Sequence, residues 1–382
     1  MKKKLVIVGA GFAGRFTYLS LSKAVRNHYS ITIIDNDDHF LFTPLLHEVA
    51  VGGITKESVC QDIHSFVDSS TTVLVDRVVA FDHVNQLVTL EQGETINYDC
   101  LVFAIGSKTN FFSTKGAEEH SSVLKNVQNA LDIKAKVTQL IASQRKGVIN
   151  VIGGGPTGIE LACELADWLH QKNSILEVKV YNGGPSILGP FSETSQQYAQ
   201  EVLKKKGVFV FNNIRITELS EDTIYSSEGD AFPSSLTIWA AGVQPEVVDS
   251  KHDILHVNHR LQVNECLTLP DNEKVFVLGD VALAPTSDQK GFPMLAQVAK
   301  QQGIHTAKNI ERQILNKPLI PFKYVHRGSL ASLGHYHAIV EIGNIKIYGF
   351  FAWLIWKALY LITFNSMKHR FTLLKEWNKK RS

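Results

Sequence analysis

This 382-residue sequence predicts an α/β fold with two Rossmann-like dinucleotide-binding domains, one inserted into the other, followed by a C-terminal amphipathic helical segment. Three observations carry that prediction. Two glycine fingerprints each follow an apolar run and open a helical stretch. An acid closes the strand after the first of them. Later apolar runs end in small residues, as strands do when they return a chain to its first sheet.

Leu5-Val6-Ile7-Val8 is a short continuous apolar run, as expected of a strand buried on both faces of a parallel sheet. Gly9-Ala10-Gly11-Phe12-Ala13-Gly14 follows it, and such glycines let backbone amides approach a pyrophosphate at a helix N-terminus. The next helix carries Phe16, Leu19 and Leu21 and is predicted to end near Asn27. Ile31 to Ile34 form the second strand, and Asp35 stands 21 residues beyond Gly14, where a carboxylate accepts hydrogen bonds from a ribose.

The unit repeats. Val148 to Ile152 form a strand, Gly153-Gly154-Gly155-Pro156-Thr157-Gly158 the turn, Ile159 to His170 a helix, and Val178 to Tyr181 the next strand. Asn182 occupies the place of the expected acid. It can still bond a ribose hydroxyl but does not repel a 2′-phosphate, so the choice between NADH and NADPH stays open. Leu101 to Gly106, with Ala104 and Gly106 at its end, and Val275 to Leu278, followed by Gly279 and Asp280, return to the first sheet. Ile238 to Gly242, ending in Ala241 and Gly242, closes the second. The expected boundaries are 1–110 with 250–322 for the first domain, 111–249 for the second, and 323–382 for the C-terminal region.

Two dinucleotides in one chain imply electron transfer between them. Apolar content of 44% and charged content of 20% describe a protein with a core, and a net charge of +2 gives no reason to expect nucleic acid. The charge is unevenly spread: from Lys357 onward seven basic residues face Glu376 alone, a tail of +6 on a body of −4. A basic, aromatic tail suits an anionic membrane surface. Four isolated cysteines and scattered histidines, His335 and His337 in a strand-like stretch among them, predict neither a dithiol centre nor a metal site. The Lys2-Lys3-Lys4 start reads as the edge of a first strand rather than a secretory leader, which predicts a cytoplasmic-side protein.

With Phe42 to Ala50, Gly155 to Ala162, the Ala296-Gln297-Val298-Ala299-Lys300-Gln301-Gln302-Gly303 block, Gly328 to Ala331 and Gly349 to Trp356 in view, the chain resembles type II NADH dehydrogenases over essentially its full length. These are the single-subunit NADH:quinone oxidoreductases. The resemblance implies FAD in the first domain, NADH in the inserted one and a membrane quinone as acceptor, without proton pumping. It implies that Gly9, Gly11, Phe12, Ala13, Gly14 and Asp35 hold the FAD diphosphate and adenosine end. Pro44, Leu45, Ala104, Gly106, Gly279, Asp280, Ala296, Gln297 and Val298 would lie along the rest of the flavin. Gly153, Gly155, Pro156, Thr157, Gly158, Glu160, Asn182, Ala241 and Gly242 would form the NADH side. Glu160 is expected to orient the nucleotide or relay a proton, and Gln297 with Gln301 to offer neutral amides to a quinone carbonyl. Ser186 stands where members often carry a basic residue.

Each of these has a plainer reading. An acid at Glu160 is favoured by the helix dipole alone. Gln297 and Gln301, four residues apart, share a face that could be mere surface. His47 reads as a satisfied loop histidine. Gly349 to Met367 offers 19 residues with one charge, Lys357, but Asn365-Ser366 and the basic residues after them limit it. Phe371, Leu374 and Trp377 then oppose Lys375 and Lys379. This pattern favours a helix lying in the membrane interface over one that spans it or is buried in a homodimer. The rival functions are a soluble reductase of a ferredoxin or rubredoxin and a slow-turnover NADH-sensing flavoprotein.

Overall fold

In the computed structural model, which describes residues 2–246, 248–250, 256–364 and 367–378, each glycine turn leaves the carboxyl end of a strand inside a parallel sheet. The helices used below are, in chain order, α1 (Phe12–Ser20), α2 (Lys23–His28), α3 (Leu46–Ala50), α4 (Pro156–Gln171), α5 (Ala296–Ile314), α6 (Gly349–Thr363) and α7 (Met367–Trp377). Contacts divide the chain into one unit of residues 1–40, 61–108 and 243–326 and another of 41–60, 109–242 and 327–382.

In the first unit six strands run in the order Thr268–Leu269, Asn272–Val277, Cys100–Phe103, Lys3–Val8, Tyr29–Asp35 and Thr72–Val75. All neighbours are parallel except the first pair. Burial on both faces explains the unbroken apolar runs: Leu5, Ile7, Val102 and Val275 are wholly enclosed. Helices α1 and α5 pack closely because Gly303 has no side chain; a Cβ there would sit 2.3 Å from the Ala13 carbonyl oxygen. The predicted single helix to Asn27 is two helices. Leu21 is extended and buried, and Ser22 then caps α2, its hydroxyl accepting from Val25 N–H.

The second unit has five parallel strands in the order Ser122–Val123, Leu236–Trp239, Val148–Ile152, Glu177–Asn182 and Phe209–Asn212. The helix after its glycine turn, α4, starts at Pro156 rather than Ile159, since proline suits a first helical turn whose N–H would have no partner. Residues 41–60, expected in the first domain, belong here because α3 packs on α4 and on the Val127–Ala142 helix. Residues 327–382 join the same unit. There a three-stranded antiparallel sheet, Ser329–Ser332, Ala338–Ile342 and Ile345–Tyr348, leads into α6. His335 and His337 lie on the turn between its first two strands, not on a strand.

The tail also departs from the reading of one apolar stretch. Helix α6 ends at Thr363, and at 15 residues it is about 22 Å long. Among the described residues no helix is long and apolar enough to cross a membrane. Trp356 and Phe364 are buried, while Phe351, Ile362, Met367 and Phe371 are more than half exposed. Asn365, Ser366, Lys379, Lys380 and Arg381 lie outside the described residues.

Candidate functional site

Both glycine turns are built for a diphosphate. Gly9 and Gly153 adopt positive φ (93° and 124°), and a Cβ at either would strike the backbone of Ala104 or Ala240. The middle glycines, Gly11 and Gly155, have nothing within 4 Å of the Cβ position, so that space is open beside each helix N-terminus. Gly14 and Gly158 instead touch their own turns, at 1.8 and 2.1 Å from the carbonyl oxygens of Gly9 and Gly153 to a notional Cβ.

Asp35 reaches back to the first turn, its Oδ2 accepting the Ala10 N–H at 2.5 Å and its Oδ1 that of Asp37 at 2.9 Å. Burial raises its pKa, and those two bonds oppose the rise. Each oxygen keeps a lone pair for a ribose hydroxyl. Beside it lies a cavity of about 190 Å³ lined by Gly9, Asp35, Asp37, Arg77 and Glu246, the last two paired at 3.0 Å. The residues present therefore fit the adenosine and diphosphate of a dinucleotide. In the second unit Asn182 covers Gly154, and its amide N–H groups go to Gly184 O (3.0 Å) and Asn212 Oδ1 (2.9 Å). Both amide donors are thus engaged, and a ribose hydroxyl would have to donate to the side-chain oxygen. Ala241 is half-exposed, and the ring of Phe112 lies against Gly242.

The Gly279–Val281 turn presents Asp280, which accepts the Ser107 hydroxyl at 2.6 Å. A residue that sequence reasoning missed holds this turn: the buried Gln302 accepts Gly279 N–H at 2.7 Å. Its neighbours behave differently from expectation. Gln301 straps the backbone of Val325, donating to the carbonyl (2.9 Å) and accepting from the N–H (3.1 Å), which leaves one amide N–H beyond these two bonds. Val298 is buried in the core, whereas Ala296 and Gln297 are half-buried on the first turn of α5, which no side chain caps. Leu45 is wholly buried and Pro44 half-buried, both within the second unit.

Glu160 lies on the first turns of α4, buried, its Oε1 accepting Ser332 N–H at 2.9 Å. Burial chiefly, with the negative charges of Glu164 and Glu48, pushes its pKa up to about 8. His47 is not a loop residue: it is on α3, buried, with Nδ1 3.8 Å from Glu160 Oε2. The fold also gathers His47, Glu48 and Glu164 so that one atom of each lies within 4.8 Å of the others. This compact grouping corrects the reading of scattered histidines. Glu164 was findable, four residues along the same helical face from Glu160. Tyr360, half-buried nearby, has its pKa raised by desolvation and by Glu160. Trp377, expected on the lipid face, turns inward and donates its indole N–H to Glu48 at 2.8 Å.

Comparison with known proteins agrees with this architecture. Residues 3–303 match the model of the pyridine nucleotide-disulphide oxidoreductases, and residues 326–381 that of the NDH2 C-terminal domain. The chain is 29% identical to a type II NADH:quinone oxidoreductase of Haemophilus influenzae, over 94% of this chain and 92% of that one. It is 28% identical to a mitochondrial internal alternative NAD(P)H-ubiquinone oxidoreductase of Solanum tuberosum, covering 98% and 86%. It shares its fold with the NDH2 of Plasmodium falciparum solved in complex with NADH, at a TM-score of 0.89, 20% identity, and 99% and 98% coverage.

Proposed function

Because the chain belongs to the pyridine nucleotide-disulphide oxidoreductase family, we propose that it is an FAD-dependent NADH:quinone oxidoreductase that docks on a membrane surface. One observation carries this reading furthest: two dinucleotide cradles share a chain with an NDH2-type C-terminal region that exposes apolar side chains. A soluble reductase of a protein partner has no use for Phe351 and Phe371 in water.

FAD, when bound, would supply the two-electron chemistry that links hydride donation by NADH to reduction of a quinone. The backbone of Gly9, Gly11 and Gly14 would hold its diphosphate, Asp35 its adenosine ribose, and Asp280 its ribityl hydroxyls. The uncapped start of α5 would offer its positive end to the flavin ring system. Gly153, Gly155 and Gly158 hold NADH. Glu160, kept protonated at neutral pH, is available as a proton relay in the second unit, and Gln297 in the first offers a neutral amide to a quinone carbonyl. Gln301 fixes the chain around Val325 instead. The exposed faces of α6 and α7, with Phe350, Phe351, Leu354, Met367 and Phe371, lie in the lipid interface on the cytoplasmic side.

Steady-state oxidation of NADH and NADPH, side by side, against short-chain ubiquinone and menaquinone analogues in detergent tests the reading. Saturable quinone-dependent oxidation is expected. Turnover only with an iron–sulfur protein would replace it by the soluble-reductase reading.

A further inference from the structure

Arg15 sits on the second turn of α1 and is 1% exposed. Its guanidinium is caged by aromatic rings of the first unit, 4.4 Å from Phe40, 5.1 Å from Phe66 and 5.3 Å from Phe16. One hydrogen bond holds it, from Nη2 to Gln61 Oε1 at 2.8 Å, and Gln61 in turn donates to Ser65 Oγ. Among the described residues its buried Nε has no hydrogen-bond partner and no carboxylate pairs with the guanidinium. Burial alone lowers its pKa to about 10, with no acid opposing the fall. The other buried arginine of this unit, Arg260, has its charge supported by Asp280.

Burying a cation without a counter-charge is unfavourable unless something supplies the missing anion. In a helix the side chain leans back toward the N-terminus. Phe40 links this side chain to the helix start: its ring contacts the guanidinium and also packs edge-on against Phe12, the first residue of α1, with centroids 5.2 Å apart. The same helix start carries Gly11, beside which the space is open.

We propose that Arg15 is the buried counter-charge of the cofactor's diphosphate, a cation kept dehydrated in its aromatic cage so that the protein's own charge balance closes only when the dinucleotide binds. The proposal rests on the FAD reading above. It makes Arg15 a binding residue that acts through the field at the helix start rather than by lining the open cradle. A packing residue and a counter-charge differ in one respect. Loss of a packing residue weakens the empty and the loaded protein alike, whereas loss of a counter-charge relieves the empty protein and harms only the loaded one.

The test uses the full chain stripped of flavin and reconstituted, comparing wild type with Arg15→Met, which conserves volume, and Arg15→Lys, which conserves charge. FAD affinity is read by flavin fluorescence quenching and stability by melting with and without FAD. Arg15→Met is expected to weaken FAD binding on the order of ten-fold, with an apo melting temperature equal to or above wild type. Arg15→Lys should recover most of the affinity. Binding by Arg15→Met within two-fold of wild type, or equal loss of stability in the apo and loaded forms, overturns the proposal while leaving FAD as the cofactor. A wild type that takes up no FAD at all overturns the cofactor reading itself.

Discussion

Replacing Glu160 by Gln removes one titrating group, keeps its volume and retains an oxygen for the Ser332 N–H. The wild-type carboxyl has an ordinary value of 4.5 and about 8 in the folded protein, burial being the main cause. A folded-state value above the unfolded one means that the protonated form favours folding. That contribution is complete below pH 4.5 and is lost as the pH rises through about 8. Over the whole window the loss amounts to about 5 kcal/mol at 1.36 kcal/mol per pH unit, and between pH 6 and 8 to about 2 kcal/mol. Because Glu48 and Glu164 share the site, these are orders of magnitude for the cluster. Denaturant unfolding at pH 6 and pH 8 checks it: wild type should lose about 2 kcal/mol more than E160Q across that interval. Quinone reduction by wild type should also fall through a limb near pH 8 that E160Q lacks. If both proteins lose stability in parallel and keep the same pH–rate profile, Glu160 is ionised at neutral pH and the proton-relay role fails.

Other perturbations follow from particular contacts. Gly303→Ala places a methyl 2.3 Å from the Ala13 carbonyl oxygen and 2.9 Å from Thr17 N, so α1 and α5 must part. A melting-temperature drop equivalent to about 1–3 kcal/mol, with faster flavin release, is expected. Gln302→Leu strands the Gly279 N–H in a buried place, costing about 1–3 kcal/mol in unfolding experiments and weakening FAD uptake through the loosened Asp280 turn. Phe351→Ser with Phe371→Ser removes exposed apolar surface while leaving the buried Trp356 and Phe364 untouched. The double variant should fold, bind flavin and stop co-sedimenting with anionic vesicles; undiminished sedimentation would locate membrane contact elsewhere.

The glycine turns and their strands were legible because the requirement is local. A positive φ, an open approach at Gly11 and a parallel strand buried on both faces all write themselves into a short stretch of chain. What sequence could not resolve depends on which face of an element meets its neighbour. Gln297 and Gln301 share a helical face, yet a strap from Val325 claims the second, and the glutamine that positions the Asp280 turn is the next one along. Trp377 has the composition of a lipid-facing residue, but Glu48, 329 positions away in sequence, offers a buried acceptor. Residues 41–60 leave the first unit because α3 finds its packing partners far along the chain. Arg15 carries no sequence signal, since its burial follows from the meeting of Phe40, Gln61 and Phe66 around it.

The central claim is that electrons pass from NADH through a bound flavin to a membrane quinone. Anaerobic stopped-flow absorbance at the flavin band, mixing the protein first with NADH and then with a ubiquinone or menaquinone analogue, measures that most directly. Rapid bleaching by NADH and recovery by quinone, faster than recovery by air-saturated buffer, is the result predicted here. Bleaching by NADH with no quinone outpacing oxygen would contradict it.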